Sequence, residues 1–210
     1  LHDRTGALIW RYTTADGLKG GYIRVDMPCD GKGLVAVNDD PINGVGCDLL
    51  YWNDGCNGWD PGDWSPIWSF WPTWPARQNP NHDFYTVAIS GDGSTIATGG
   101  EPRYDYALSK AGPPPLQTIG PRPDNPQSVD LTFNGEYGAS VGGTIPVPGP
   151  PYPLGPAELW FFSSTTGVLW TWTNPSQRPF HSVSISKLYP CLYPAAHDVD
   201  VHNVTRNKSI

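Results

Sequence analysis

One gapless self-alignment limits what this chain can fold into. Val87-Ala-Ile-Ser-Gly-Asp-Gly-Ser-Thr-Ile-Ala-Thr-Gly-Gly100 lies on Val129-Asp-Leu-Thr-Phe-Asn-Gly-Glu-Tyr-Gly-Ala-Ser-Val-Gly142, an offset of 42 residues. Val87 falls on Val129, Ile89 on Leu131, Gly93 on Gly135 and Ala97 on Ala139. A weaker copy runs from Val25 to Val37, with Asp30-Gly31 where Asp92-Gly93 stands, and a fourth start is Phe180 to Ser186. Each full copy alternates, turns at Asp/Asn-Gly and resumes with small residues, which is how a β-hairpin is written. A period of roughly 40–45 residues points to one supersecondary unit repeated, each burying its apolar face on the next.

A second repeated stretch supplies the rest of the unit. Asp3 to Thr14 reads DRTGALIWRYTT, and Ser164 to Thr173 reads STTGVLWTWT. A small turn followed by alternating aromatic and β-branched residues hands over from a hairpin to an exposed strand. Glu158 to Phe162 and Val168 to Thr173 read as third and fourth strands joined at Thr166-Gly167, and Leu1 to Asp3 with Leu8 to Thr14 repeats the pair. Leu49 to Trp52 with Pro66 to Trp71 makes another pair, and Tyr104 to Ser109 with Pro115 to Ile119 a poorer one. Four short strands per unit at this period is the pattern of a propeller blade.

Val87 to Gly100 followed by a Thr-Gly-x-Leu-x-Trp-x-Trp strand resembles the WD-repeat and PQQ-like β-propellers, in the type frequent among archaeal secreted proteins. The resemblance covers nearly the whole chain and is specific for fold, not for function. Gly-His and Trp-Asp signatures recurring with the unit, as in WD repeats proper, are absent. The resemblance implies an all-β fold: a β-propeller of four blades of four antiparallel strands. The chain opens on third and fourth strands and closes on a first, so one blade is shared between the termini and the sheet has no free edge there. This gives a propeller domain over residues 1–196 and a C-terminal strand and tail over 197–210. The stretch Asp3 to Trp10 also resembles the docking motif of quinoprotein dehydrogenases, but Asp3 stands one residue too close to Thr5. Trp10 and Trp170 are therefore expected to pack between blades rather than to border a cofactor.

Composition narrows the function classes. The net charge is −7 with 13 basic residues and no Lys/Arg cluster, which gives nucleic acid nothing to bind. No apolar run approaches the ~20 residues of a membrane-spanning helix. Gly and Pro number 24 each, but ten Trp, ten Tyr and six Phe demand a core, so turns and not disorder account for them. The chain opens with strand-like sequence and no initiator Met or leader, as expected of a processed product or a fragment. Cys29, Cys47, Cys56 and Cys191 allow three pairings, and no Cys-x-x-Cys supports zinc. In a closed ring Cys29 and Cys191 follow first strands of adjacent blades, so the expectation is a Cys29–Cys191 bridge with Cys47–Cys56 as a local clasp. The tripeptides at Asn203 and Asn207 are glycosylation sequons, and with the cysteines they place the protein outside the cell.

Three segments carry candidate chemistry. Asp54, Asp60 and Asp63 share a Gly-rich loop whose oxygens suit calcium, without the spacing of an EF-hand; turn-forming Asx residues explain them equally well. Asp198, Asp200 and His202 line one face of an alternating strand and offer a second metal set, against the plainer reading of a solvated face or of a strand that pairs with another molecule. Trp59 and Trp64 lie among six Trp within Trp52 to Trp74 and suit stacking on sugar rings or a protein interface. The proline-rich segments Gly112 to Pro126 and Pro146 to Pro156 read as extended loops. No Gly-x-Ser-x-Gly, His-Glu-x-x-His or P-loop is present. The expectation is a non-catalytic, secreted, self-assembling structural subunit that needs no cofactor (calcium aside), forming a homo-oligomer, an extracellular filament or a surface layer. The alternatives are a glycan- or protein-binding module using the Trp-rich loop, and a fragment of a quinoprotein-like dehydrogenase.

Overall fold

The Asp/Asn-Gly turns of the repeat are chemically the same turn three times. Gly31, Gly93 and Gly135 hold φ of 68°, 72° and 66°, where a Cβ is disfavoured. Each glycine amide donates to the carbonyl three residues back, Pro28, Ser90 and Thr132, at 2.9–3.0 Å. Within each turn an Asx oxygen accepts the amide two residues on: Asp30 from Lys32, Asp92 from Ser94, Asn134 from Glu136. The Thr-Gly turns also match, with Gly6 at φ 86° and Gly167 at 88°.

The computed structural model describes residues 5–8, 21–39, 49–53, 66–70, 84–100, 103–143, 157–174, 180–185 and 199–202, with only the backbone at 21–23, 38–39 and 199–202. Among these, all regular structure is β. The first sheet runs β1 (Gly21–Asp26), β2 (Gly33–Asp39), β3 (Leu49–Asn53) and β4 (Trp68–Phe70). The second runs β5 (Phe84–Ile89), β6 (Thr95–Gly100), β7 (Tyr104–Ser109) and β8 (Gly112–Ile119). The third runs β9 (Pro126–Leu131), β10 (Tyr137–Gly142), β11 (Glu158–Ser163) and β12 (Gly167–Thr173). All three are antiparallel meanders of consecutive neighbours. A two-stranded sheet pairs β13 (Ser182–Ile185) with β14 (Val199–His202). No helix among the described residues is long and apolar enough to cross a membrane.

Successive sheets pack first strand on first strand, β1 on β5, β5 on β9 and β9 on β13. Equivalent repeat positions make the same bonds at different junctions. Asp26 Oδ2 accepts the Ile89 amide at 2.9 Å, and Asp130 Oδ2, at the same repeat position, accepts the Ile185 amide at 2.8 Å. Thr86 Oγ1 accepts from Val129 at 3.0 Å, and Ser128 Oγ from Val183 at 3.2 Å. The turns are stitched too, Cys29 amide to Gly91 carbonyl and Asp92 amide to Phe133 carbonyl, both at 2.9 Å. A side chain or amide on each first strand thus fixes the register of the next sheet.

The core lies in the layers between sheets. Val35, Val37, Leu49, Tyr51 and Phe70 meet Phe84, Ile89, Ile96, Tyr106 and Leu108 in the first layer. Ala88, Ala97 and Ile119 meet Val129, Leu131, Trp160 and Phe162 in the second. Val141, Leu159 and Phe180 meet Val183 and Ile185 in the third. Both faces of each middle strand are covered, so β6 is buried along its whole length and the alternation of a half-solvated strand disappears. Small residues in the second strands leave room for the bulky ones opposite: a Cβ on Gly138 would come within 2.3 Å of the Phe162 ring.

Most strands fall where the repeat puts them, β7 and β12 closely so. Pro115 to Ile119, expected as a poorer fourth strand, is part of β8, which begins at Gly112 inside the proline-rich segment that also reads as an extended loop. Strand β4, Trp68–Phe70, lies within the expected Pro66 to Trp71. The C-terminal strand, which the sequence also allowed to reach another molecule, pairs with Ser182–Ile185 of its own chain. Cys29 is exposed on the turn after β1; Cys47, Cys56 and Cys191, and with them both expected pairings, lie outside the described residues.

Candidate functional site

Sheets of this kind offer their outermost strands to solvent, and the three here differ. Strand β4 is described over Trp68–Phe70 only, and the residues that follow lie outside the described ones. Strand β8 carries Pro113, Pro114 and Pro115, which lack an N–H to donate. Strand β12, Gly-Val-Leu-Trp-Thr-Trp-Thr, is seven residues long with neither proline nor charge, and every residue after Gly167 is exposed. Its inner side pairs with β11; among the described residues no strand pairs with its outer side. The backbone groups facing outward are therefore open to another strand.

The side chains of β12 are as open as its backbone. Val168, Leu169, Trp170 and Trp172 are 41%, 49%, 45% and 47% exposed. A register shift between Phe161 and Phe162 leaves Leu169 without a cross-strand partner, a β-bulge that turns the strand. Beyond the bulge Trp170 and Trp172 share one face and Thr171 and Thr173 the other. Trp170 stacks on Phe161 at 5.6 Å between ring centres, and Phe161 on Tyr137 at 5.7 Å. Trp172 leans on Phe180 at 5.6 Å. The Trp side chains are thus held by rings beneath them while their outer surfaces stay wet. Among the described residues the ring contact of Trp170 is with Phe161 of its own sheet. At the start of the strand Gly167 lies against the Gln117 side chain of β8.

A buried ionic cluster fixes the third sheet to the second. Arg122, on the loop from β8 to β9, donates from Nη1 to Asp105 Oδ2 at 3.2 Å and to Ser140 Oγ at 2.6 Å. Its Nε donates to Asp124 Oδ1 at 3.2 Å and its Nη2 to the Glu158 carbonyl of β11 at 3.0 Å. The Ser140 hydroxyl donates in turn to Asp105 Oδ1 at 2.9 Å. The guanidinium carbon stands 5.0 Å from the centre of the Trp160 ring, whose Nε1 donates to Glu158. All three charged side chains are fully buried. Burial raises Asp105 above the usual carboxylate range against the pull of Arg122 and Ser140. Burial also pushes Asp124 up to about 6, again with Arg122 opposing. The arrangement is turned inward: Arg122 is shared between the two carboxylates, Asp124 Oδ2 is buried without a hydrogen-bond partner, and all three charged side chains are shielded from solvent.

Several sequence candidates cannot be placed. Asp54, Asp60, Asp63, Trp59, Trp64, Trp10, Asp198, Asn203 and Asn207 lie outside the described residues. Asp200 and His202 sit on β14, opposite Ser184 and Ser182. Among the described residues no group of three or more His, Cys, Asp or Glu is placed to hold a metal ion. Sequence reasoning missed the Arg122 cluster, although an Asp inside the apolar strand Tyr104–Ser109 and an Arg between two prolines were visible. No family model matches the chain, and no curated protein matches it.

Proposed function

We propose that this protein is a non-catalytic structural subunit that self-assembles, and that β12 is one of its contact surfaces. The observation that carries the reading is the exposed, uncharged, proline-free edge strand β12, where the equivalent outer strand β8 is rich in proline. The strand-on-strand succession of β1, β5, β9 and β13 supports a β-propeller. On this reading β13 and β14 are the first two strands of a fourth blade, and the N-terminal pair around Thr5-Gly6 supplies its third and fourth. The matching Gly6 and Gly167 turns support that assignment. The same reading places the protein outside the cell, in a filament or surface layer, on the strength of its sequons and cysteines. Light scattering with negative-stain electron microscopy tests it: the expected result is fibres, sheets or discrete oligomers, and particles that stay monomeric when concentrated overturn it.

A further inference from the structure

The open edge has a sequence symmetry of its own. Trp170-Thr171-Trp172 reads the same in both directions, with Leu169 and Thr173 flanking it. Two antiparallel copies of such a strand, centred on Thr171, set Trp170 against Trp172 on one face and Thr171 against Thr171 on the other. Aromatic pairs and Thr–Thr pairs are among the cross-strand neighbours that stabilise a sheet, at about 0.2–1 kcal/mol each.

Charge selects the partner. The chain carries a net −7, so two copies repel over most orientations. At a two-fold axis each charge faces its own image, and β12 has none between Gly167 and Thr173. It is a stretch that a second copy approaches without like charges meeting. The Trp side chains are already ordered by Phe161 and Phe180, so little rotamer freedom is lost on pairing.

Resting on the assembly reading above, we infer that β12 pairs antiparallel with β12 of a second copy, in the register that places Thr171 opposite Thr171. The four strands from each copy then form one continuous sheet across a two-fold axis. The contact is isologous and closes on itself, so it makes pairs; a filament or layer needs a second surface as well.

Cysteine cross-linking reads the register directly. Opposed residues in antiparallel strands have Cα atoms about 4.5 or 5.5 Å apart, both within disulfide range. In a Cys29→Ser background, Thr171→Cys is expected to form a reducible dimer under mild oxidation, and the background protein alone is not. Leu169→Cys, equally exposed but facing Thr173 of the other copy, is expected to stay monomeric on denaturing gels. Thr171→Lys, with two ammonium groups at the axis, is expected to weaken association by at least roughly tenfold. Association by light scattering without a 171–171 cross-link overturns this register and leaves the assembly reading standing. Neither association nor cross-link overturns both.

Discussion

Strands β8 and β12 hold the same place in successive sheets, each the fourth strand of its meander and each outermost. Strand β8 exposes one large apolar side chain, Leu116 at 46%, between prolines and Gln117. Strand β12 exposes four and has no proline. The same structural position is thus sealed in one sheet and left open in the next. Position in the meander alone does not make an edge available; what the chain writes there does. The prolines of β8 remove donors, whereas β12 keeps its donors and surrounds them with aromatic surface.

The comparison can be broken most forcefully from beneath. Arg122 leaves the loop after β8 and holds the β11 carbonyl of Glu158, so both edges hang on one guanidinium. Replacing Arg122 by Ala strands two buried carboxylates, and the expected loss is about 3–5 kcal/mol in urea unfolding. Both edges should fail together, seen as loss of the cooperative transition before any effect specific to β12.

A smaller effect follows from Asp124. Its folded pKa of about 6 lies above the unfolded value of 3.8, so the folded state holds the proton more tightly. Stability is therefore greatest below pH 4 as far as this group is concerned, falls as pH rises through about 4 to 6, and is flat above. The size is on the order of 2 kcal/mol, and Asp105, raised for the same reason, adds in the same direction. Thermal unfolding against pH should show this slope, and Asp124→Asn should flatten it. An unchanged slope in the variant would mean that the cluster is ionised otherwise than the geometry implies.

Two surface substitutions sharpen the comparison itself. Trp170→Lys on β12 is expected to abolish association, and its effect on unfolding is expected to stay within about 1 kcal/mol, because the side chain is half exposed. Leu116→Lys on β8 is expected to change neither association nor, beyond about 0.5 kcal/mol, stability. Sedimentation and urea titration of the two proteins side by side decide whether the edges differ as described.

Much of the fold was legible because the repeat carried its own turn chemistry. An Asx followed by Gly, three times at matching places, fixed β1–β2, β5–β6 and β9–β10, and Thr166-Gly167 fixed β11–β12. The start of β8 at Gly112 was harder to place than Pro115 to Ile119, because prolines argue against a strand and only an outermost strand tolerates them. The exposure of β12 was legible in its alternation, but which of its aromatic residues pack and which stay wet was not. Alternating Trp and Thr look the same in sequence whether a neighbouring sheet covers them or water does. The Arg122 cluster depends on Asp105, Asp124 and Ser140 converging from three separate stretches, which no local pattern announces.

Sedimentation velocity of the native protein, run from dilute to concentrated beside Thr171→Lys, tests the central claim most directly. The account predicts that the native protein shifts to heavier species with concentration while the variant, equally folded, remains a monomer. A native protein that sediments as a monomer throughout, or a variant that associates as the native one does, would contradict it.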